Sequence, residues 1–175
     1  MIQDTAVKVL LGIFSIFAIV IFVVPFLYPS GTFVHLDGSP SVMDHDWSSY
    51  GAGGIVYAIG DLICHQESAR SFILNGSQMP ICIRDVGLLL GLDAGLVCSH
   101  LFKKWIAQKK SLIIGAALLL PTVVEWVLEH SFDLDLPEVR LMAGIVSGFG
   151  AAMIICHLIY RGVVGDGSRI GDRTD

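Results

Sequence analysis

One apolar stretch limits the folds that are open to this chain. Residues 9–27 are almost continuously apolar and are broken only by Gly12, Ser15 and Pro25. At about 1.5 Å per residue, roughly 20 helical residues cross a ~30 Å hydrocarbon core. The bulky segment 25–28 (P-F-L-Y) lacks the small residues of a signal-peptide cleavage site. The stretch therefore predicts a membrane-anchoring helix.

The composition indicates the same class of protein. Only 15% of the 175 residues are charged and 54% are hydrophobic, whereas soluble domains are about 25% charged. The formal net charge is −5, and basic residues cluster only in one short loop. These values exclude a disordered chain, a fibrous repeat and a basic nucleic-acid binder. We expect an integral membrane protein whose first partner is the lipid bilayer, with no nucleic acid bound.

Hydropathy predicts an all-α fold, a bundle of four transmembrane helices in one domain that covers residues 1–161. The spans are expected at about residues 8–28, 86–102, 111–128 and 140–160. Gly87, Gly91 and Gly95 form an i, i+4 stripe in the second span, and Gly144 and Gly148 form a G-x-x-x-G pair in the last. Small residues at this spacing let helix backbones approach closely in lipid. We therefore expect these glycines to serve helix packing.

Basic residues set the predicted orientation. Four lysines crowd the loop after the second span, and arginines follow the last span. Cytoplasmic loops of membrane proteins are enriched in such residues. We predict a multi-pass protein of the cell membrane with both termini in the cytoplasm. The polar, glycine-rich residues 162–175 are predicted to form a flexible cytoplasmic tail.

The apolar segment 51–63 is too short to span comfortably. Segments of 10–14 apolar residues often lie at the membrane surface or enter it partway. We predict a short outer-surface or re-entrant helix there, and a fifth span is the alternative.

Two short segments carry the ligand types of a transition-metal site. Cys64 and His65 are adjacent, and Cys82 and Asp85 have the spacing of a Cys-x-x-Cys ligand pair. Thiolate, imidazole and carboxylate bind zinc and iron, so these four residues are the predicted metal ligands. Neighbours on a helix point about 100° apart, so Cys64 and His65 can share an ion only where a helix ends. Asp61, four residues before His65, is placed to orient its imidazole.

Two other interpretations of the cysteines stay open. Cys64 and Cys82 lie on the predicted outer side, where a disulfide or a redox pair is permitted. A buried free cysteine also packs well as a small hydrophobic residue.

The same region resembles a known family of small prokaryotic membrane proteins, domain of unknown function 2085. The resemblance covers roughly residues 50–150 and rests on a specific pattern, C-H-Q, then R-S-F, then G-x-Q-x-P-x-C-x-R-x-x-G. The matching residues are Cys64, His65, Gln66, Arg70, Ser71, Phe72, Gly76, Gln78, Pro80, Cys82, Arg84 and Gly87. The family often has cysteine where this chain has Asp85, and its pattern implies a four-ligand metal site. Aspartate there favours a more open zinc or iron site.

Several ionisable residues are predicted to meet at the outer ends of the antiparallel spans. Glu125 and Glu129 share a helix face at i, i+4, and Arg140 begins the last span. Ionisable groups at membrane depth are costly and usually mark function. Together with the four metal ligands and His130, they form either a polar site or a buried salt-bridge network, and both interpretations stay open. Asp93, in the middle of the second span, is expected to hydrogen-bond to a neighbouring helix or to line a polar path.

A weaker cluster is predicted at the inner ends of the second and last spans. Two cysteines and two histidines lie there, and packing is the expected role rather than metal binding: Cys98, His100, Cys156 and His157.

The favoured function is a metal-binding membrane protein with a polar site at its outer face, with hydrolase-like or ligand-binding activity. In a catalytic version, Glu125 or Glu129 would act as a further ligand or general base, and Arg140 would stabilise anionic charge. One alternative is a thiol–disulfide redox protein using Cys64 and Cys82. Another is a non-catalytic subunit or transporter component that assembles with other membrane subunits or with itself. Whether the chain is an enzyme stays open.

Overall fold

The computed structural model describes residues 2–39, 41–132 and 136–170, without the side chains of residues 130, 132 and 162–170. The described chain is mostly helical, with one short antiparallel hairpin in which Ile73 pairs with Gln78. The elements are α1 Ile2–Val23, α2 Gly51–Ile63, β1 Ile73–Leu74, β2 Ser77–Gln78, α3 Ile83–Leu101, α4 Lys103–Ile106, α5 Lys109–Ala117, α6 Leu120–Phe132 and α7 Pro137–Ile170. Short 3-10 turns occupy Val24–Leu27, Ser48–Tyr50 and Ser68–Arg70.

Three segments of the described chain are long and apolar enough to cross a membrane. They are Ile2–Leu27, Lys109–Glu129 and Pro137–Arg161. Helix α3 has 19 residues, but it carries three charged residues, Arg84, Asp85 and Asp93. It is therefore more polar than these three segments. The fold class is therefore a helical membrane protein with three candidate spans among the described residues, and α3, the other predicted span, is not one of them.

The second apolar segment is broken in its middle by a proline. A proline ring clashes with the carbonyl group four residues earlier and has no N–H to donate. Pro121 stands four residues after Ala117, where α5 ends. The segment Lys109–Glu129 therefore consists of two helices joined by a turn, where the sequence predicted one.

Helices α3 and α7 pack with their backbones in contact, which confirms the prediction made from the glycines. A Cβ atom on Gly91 would overlap the Ile145 carbonyl, and one on Gly148 would overlap the Leu88 carbonyl. A Cβ on Gly95 would lie 2.6 Å from that of Ala152. The glycine stripe is therefore explained by helix packing.

The apolar core has three parts. At the end where α3 meets α4, called the lysine end because of Lys103 and Lys104, the buried residues come from α1, α3, α4 and α7. At the opposite end, called the loop end, Met79 and Ile81 after the hairpin pack against α1 and α3. The third part lies under the loop that joins α1 to α2, where the rings of Phe33 and Tyr57 stack 3.8 Å apart.

Helix α2 has the bounds predicted for the short apolar segment. It exposes four large apolar side chains, Ile55, Ile59, Leu62 and Ile63, while Tyr57 and Asp61 are buried beneath the loop before it. At the other end of the chain, α7 continues to Ile170, nine residues into the segment predicted as a tail.

Candidate metal centre and its ion-pair network

The end of α2 and the start of α3 meet at the loop end of the bundle. Cys64 ends α2 in an extended conformation, and its N–H donates to the Gly60 carbonyl at 2.8 Å. Cys82 lies immediately before α3, and its N–H donates to the Cys64 sulfur at 3.3 Å. The two cysteines, 18 residues apart in the chain, are therefore brought together by two helix ends.

Asp85 completes a group of three ligand atoms, which we call the Cys–Asp cluster (Cys64, Cys82, Asp85). The two sulfurs and a carboxylate oxygen all lie within 4.8 Å of one another. Asp85 occupies the first turn of α3, where the helix dipole favours an anion. All four cysteines are free thiols in this structure. Two soft donors and one hard donor fit a zinc or iron ion.

The two thiols differ in their affinity for a proton. A hydrogen bond from the Cys82 side chain lowers the pKa of Cys64, despite the burial of Cys64. The same hydrogen bond, burial and the nearby Asp85 carboxylate raise the pKa of Cys82. The Cys82 sulfur also lies 3.1 Å from Asp85 Oδ2, so Cys64 and Asp85 compete for the single proton of the Cys82 thiol. Cys64 and Asp85 therefore surround a proton that stays on the Cys82 thiol. A cation bound at the cluster would displace this proton.

His65 does not join this group of ligand atoms. It is exposed, whereas Cys64 is buried, and the next residue, Gln66, adopts a left-handed conformation with φ of 47°. Asp61 was expected to orient His65 but instead accepts hydrogen bonds from the Trp47 indole at 2.9 Å and the His45 N–H at 3.2 Å. The fourth predicted ligand is therefore adjacent to Cys64 in sequence, but it is not one of the ligand atoms that lie within 4.8 Å of one another.

Two buried glutamines of the sequence pattern brace the loop that carries the cluster. The Gln66 amide donates to the carbonyls of Pro80 at 2.6 Å and Tyr57 at 3.2 Å. The Gln78 amide donates to the Gln66 carbonyl, and its oxygen accepts from Ser68 at 3.0 Å. The sequence analysis assigned no role to either glutamine. The only available signal was their place in the shared pattern.

Glu125 and Glu129 lie in a network of ion pairs beside the cluster. Arg84 Nη2 lies 2.8 Å from Glu125 and 2.9 Å from Glu129. Arg140 Nη2 lies 3.0 Å from Glu129, and its Nε lies 3.4 Å from Glu125. Arg70 adds a third guanidinium, 2.7 Å from Glu129. The structure therefore brings the three predicted catalytic residues together.

The network is shielded from solvent and adjoins the Cys–Asp cluster. Arg140 is 1% exposed and Glu129 7% exposed. Arg84 stands between Cys82 and Asp85 in sequence, so the first turn of α3 supplies both sites. The sequence pattern groups Arg140 with the two glutamates but does not indicate Arg70. The side chain of His130, predicted in the same layer, lies outside the described part of the structure.

A cavity of about 260 Å³ adjoins Asp85 and lies between α1, α3 and α7. Its other described lining residues are apolar, among them Phe14, Phe17, Leu92 and Gly148. The cavity therefore places an apolar surface next to Asp85.

At the lysine end, the two Cys–His pairs do not form a metal-ligand group among the described residues. His157 Nδ1 lies 2.8 Å from the Ile106 carbonyl, and His100 Nδ1 lies 3.2 Å from the Tyr160 hydroxyl. Cys156 is fully buried. In the middle of α3, Asp93 interacts with the Ser15 side chain of α1, as expected for a structural contact between helices.

Comparison with known proteins identifies the family. The family model described as predicted membrane protein (DUF2085) matches residues 64–154, more than half of the chain. The chain belongs to this family. An uncharacterised protein of Methanocaldococcus jannaschii is 31% identical over 115 residues, which cover 61% of this chain and 69% of the relative. No solved structure matches. The DUF2085 segment begins at Cys64 and contains the Cys–Asp cluster together with Glu125, Glu129 and Arg140.

Proposed function

We propose that this DUF2085 protein is a multi-pass membrane protein that binds one zinc or iron ion through Cys64, Cys82 and Asp85. The main support for this proposal is that three ligand atoms lie within 4.8 Å of one another. Cys64 is buried, Cys82 and Asp85 are half-buried, and the three residues stand at two helix ends that meet. Such placement limits the movement of the ligands and so favours metal binding.

The donor set also favours an open coordination site. Structural zinc sites usually have four protein ligands, whereas catalytic sites keep a position for water or substrate. Three protein ligands leave that position for a water molecule, a substrate or a rotated His65. A bound ion would supply Lewis acidity for hydrolysis or for binding a polar group of a ligand. The apolar cavity beside Asp85 suits a ligand that reaches the site from the membrane.

In this proposal the ion-pair network supports the metal centre. Glu125 and Glu129 hold Arg84, which fixes the first turn of α3 and therefore the positions of Cys82 and Asp85. Arg140 and Arg70 balance the charge of the two glutamates. If the site is catalytic, Glu125 or Glu129 would serve as general base, and Arg140 would stabilise anionic charge.

We further propose that α3 is the fourth span, over about residues 86–102, and that α2 lies at the outer surface. Two of the three charges of α3, on Arg84 and Asp85, stand in its first turn and belong to the two sites at the loop end. The start of α1 and the end of α3 share one face, because Lys103 Nζ lies 3.1 Å from Asp4 Oδ1. Lysine enrichment at this face supports a topology with both termini in the cytoplasm and the metal centre outside.

The proposal is tested by elemental analysis of protein purified in detergent without added metal or chelator. We expect about one zinc or iron per wild-type chain, and loss of that metal in Cys82→Ala and Asp85→Asn. Cys156→Ala is the matched control, since it removes a buried cysteine at the opposite end and should retain the metal. Unchanged metal content in Cys82→Ala would exclude the assignment.

One alternative has structural support of its own. The sulfurs of Cys64 and Cys82 lie within 4.8 Å of each other, near enough for a small movement to join them in a disulfide. The lowered pKa of Cys64 favours a reactive thiolate. A thiol–disulfide oxidoreductase would exchange this pair with the disulfide of a partner, so that the partner's disulfide is reduced to two thiols as Cys64 and Cys82 form theirs. Counting free thiols with and without reductant distinguishes the two functions, because a pair that never oxidises in metal-free protein excludes redox chemistry.

A further inference from the structure

One carboxyl group lies in the middle of the bundle, away from both ends where the ionisable residues gather. Asp93 stands near the centre of α3, which has 19 residues. It interacts with the side chain of Ser15, which lies near the centre of the apolar segment Ile2–Leu27. Two helices with separate sequences therefore place Asp93 at the same depth, in the middle of the membrane.

The helices packed against α3 offer no cation at this depth. Helices α1 and α7 pack along α3, and α4 contacts its lysine end. Residues 9–23 of α1 and residues 141–155 of α7 contain no charged or titratable side chain. The titratable residues of α1 are Asp4 and Lys8, and those of α7 lie before residue 141 or after residue 155. Asp93 therefore faces no counter-charge from either helix.

Helix α3 itself brings no cation close to Asp93. The nearest titratable residues before and after Asp93 on α3 that share its side of the helix are Asp85 and His100. Each stands about two turns away, or roughly 10–12 Å along the axis. Asp85 has the same sign of charge as an ionised Asp93, and His100 lies at the lysine end beside Asp4 and Tyr160.

The Asp93 carboxyl group also has few polar contacts. Oδ1 is buried, and no described residue forms a hydrogen bond with it. The cavity of about 260 Å³ that adjoins Asp85 is lined by apolar Leu89 and Leu92 where it passes this part of α3. An unpaired carboxylate is costly at membrane depth, and a carboxyl group in such surroundings becomes neutral by binding a proton.

Asp93 lies at an edge of the α1–α3 contact that lipid can reach. Leu90 and Val97, three residues before and four residues after it, share its side of the helix and are 41% and 44% exposed. Asp93 itself is half-buried. Because this placement rests on the proposed fourth span over α3, the exposed side of Leu90 and Val97 faces lipid chains. It does not depend on metal binding at the Cys–Asp cluster.

We propose that Asp93 is a proton-binding site in the middle of the membrane, at the lipid-facing edge of the α1–α3 contact. A proton needs no cavity, removes the charge, and allows the carboxyl group to keep its contact with Ser15. Loss of the proton would leave a carboxylate between two helices that offer it no counter-charge. Proton binding at Asp93 is therefore coupled to the packing of α1 on α3, as in the proton relays of membrane pumps and transporters.

Infrared spectroscopy tests the protonation, because an uncharged carboxylic acid has a carbonyl stretch that an ionised carboxylate lacks. Spectra are recorded at neutral pH on the full chain, in a detergent that contains no ester group. We expect the wild type to show this band and Asp93→Asn to lose the part that Asp93 contributes. Ser15→Ala should keep the band and shift its frequency, because the substitution removes a polar contact of the carboxyl group.

Asp46→Asn is the matched control, since it makes the same change in an exposed loop. The Asp46 carboxylate accepts the Ser48 N–H at 3.0 Å, and hydrogen bonds from Ser48 lower the pKa of Asp46. Asp46 is therefore ionised at neutral pH, and its replacement should leave the acid band unchanged. Equal acid bands in the wild type and Asp93→Asn would overturn the proposal. If Asp93→Asn does not fold, Ser15→Ala decides, and an unshifted band has the same consequence.

Carbodiimides test the position of Asp93 at the lipid face. The O–H group of an uncharged carboxylic acid adds across one C=N bond of dicyclohexylcarbodiimide, and the adduct rearranges to a stable N-acylurea without a further reactant. Mass spectrometry of wild-type protein in lipid bilayers should therefore find one added carbodiimide on the peptide that contains Asp93. A water-soluble carbodiimide should leave this peptide unmodified.

The two reagents separate failure of the site from failure of the span. An Asp93 that reacts with neither reagent would overturn the lipid-facing position, whatever the infrared result. An Asp93 that reacts with the water-soluble reagent would show that water reaches it, and this would overturn the assignment of α3 as a span.

Discussion

Removing the charge of Glu129 should destabilise the protein more than most single substitutions. Glu129 is 7% exposed, and its oxygens lie 2.7 Å from Arg70, 2.9 Å from Arg84 and 3.0 Å from Arg140. Glu129→Gln keeps the shape of the side chain but leaves Arg84 and Arg140 with Glu125 as their acidic partner and Arg70 with the exposed Glu67. Breaking a buried ion pair by neutralising one partner costs about 3–5 kcal/mol.

The expected loss can be measured as a shift in melting temperature in detergent. For chains of this size about 1 kcal/mol lowers Tm by about 2–4 °C, so Glu129→Gln should melt about 6–20 °C below the wild type. Glu67→Gln is the matched control. It breaks the pair with Arg70 at 3.1 Å, whose side chains are 36% and 43% exposed, and should cost about 0–1 kcal/mol.

Charge balance provides a second check on the same reasoning. If excess positive charge causes the loss, adding Arg70→Gln to Glu129→Gln should recover part of the stability, because the ratio of arginines to glutamates moves back toward that of the wild type. A Glu129→Gln protein that melts with the wild type would refute the argument. So would a double variant that is less stable than either single variant.

Two further predictions concern the helix contact and the outer loop. Gly91→Ala places a Cβ against the Ile145 carbonyl and should cost about 1–3 kcal/mol in a thermal melt, whereas Gly12→Ala meets nothing within 4 Å and should leave stability unchanged or slightly higher; equal melting of the two variants would contradict the packing argument. The Ser68 N–H donates to Asp37 at 2.6 Å and lowers the pKa of that carboxyl below its ordinary 3.8. The carboxylate therefore stabilises the fold above about pH 4, and this contribution is lost as the pH falls through the lowered pKa. Melts at a series of pH values should show the wild type losing its advantage over Asp37→Asn below that pH, and a constant difference would refute the assignment.

Several boundaries follow from local sequence alone. Helix α2 matches its predicted bounds because Gly51 begins a short apolar run and the polar residues from His65 end it. Helix α3 begins at Ile83, three residues before the predicted start, because Arg84 and Asp85 are charged and hydropathy excludes them. Arg84 pairs with Glu125 and Glu129, and Asp85 lies beside the Cys82 thiol. A hydropathy scale does not include such contacts.

The candidate site was only partly accessible to sequence reasoning. The spacing of Cys82 and Asp85 on one helix turn was sufficient to predict that they share a site. The exposure of His65 was not, because it is set by the fold around the end of α2, where Gln66 adopts a left-handed conformation and its amide donates to buried carbonyls at Tyr57 and Pro80.

By itself, the sequence determined that the chain enters a membrane, that its glycine-bearing helices pack closely, and that its ionisable residues gather at one end. These properties depend on hydropathy and on spacing along a helix, both of which are local. Only the tertiary structure decided that Arg70 joins Glu129, that Asp61 accepts from the Trp47 indole, and that Cys64 rather than His65 turns toward Cys82. These contacts join residues that are far apart in the chain, so they cannot be predicted from local patterns of sequence.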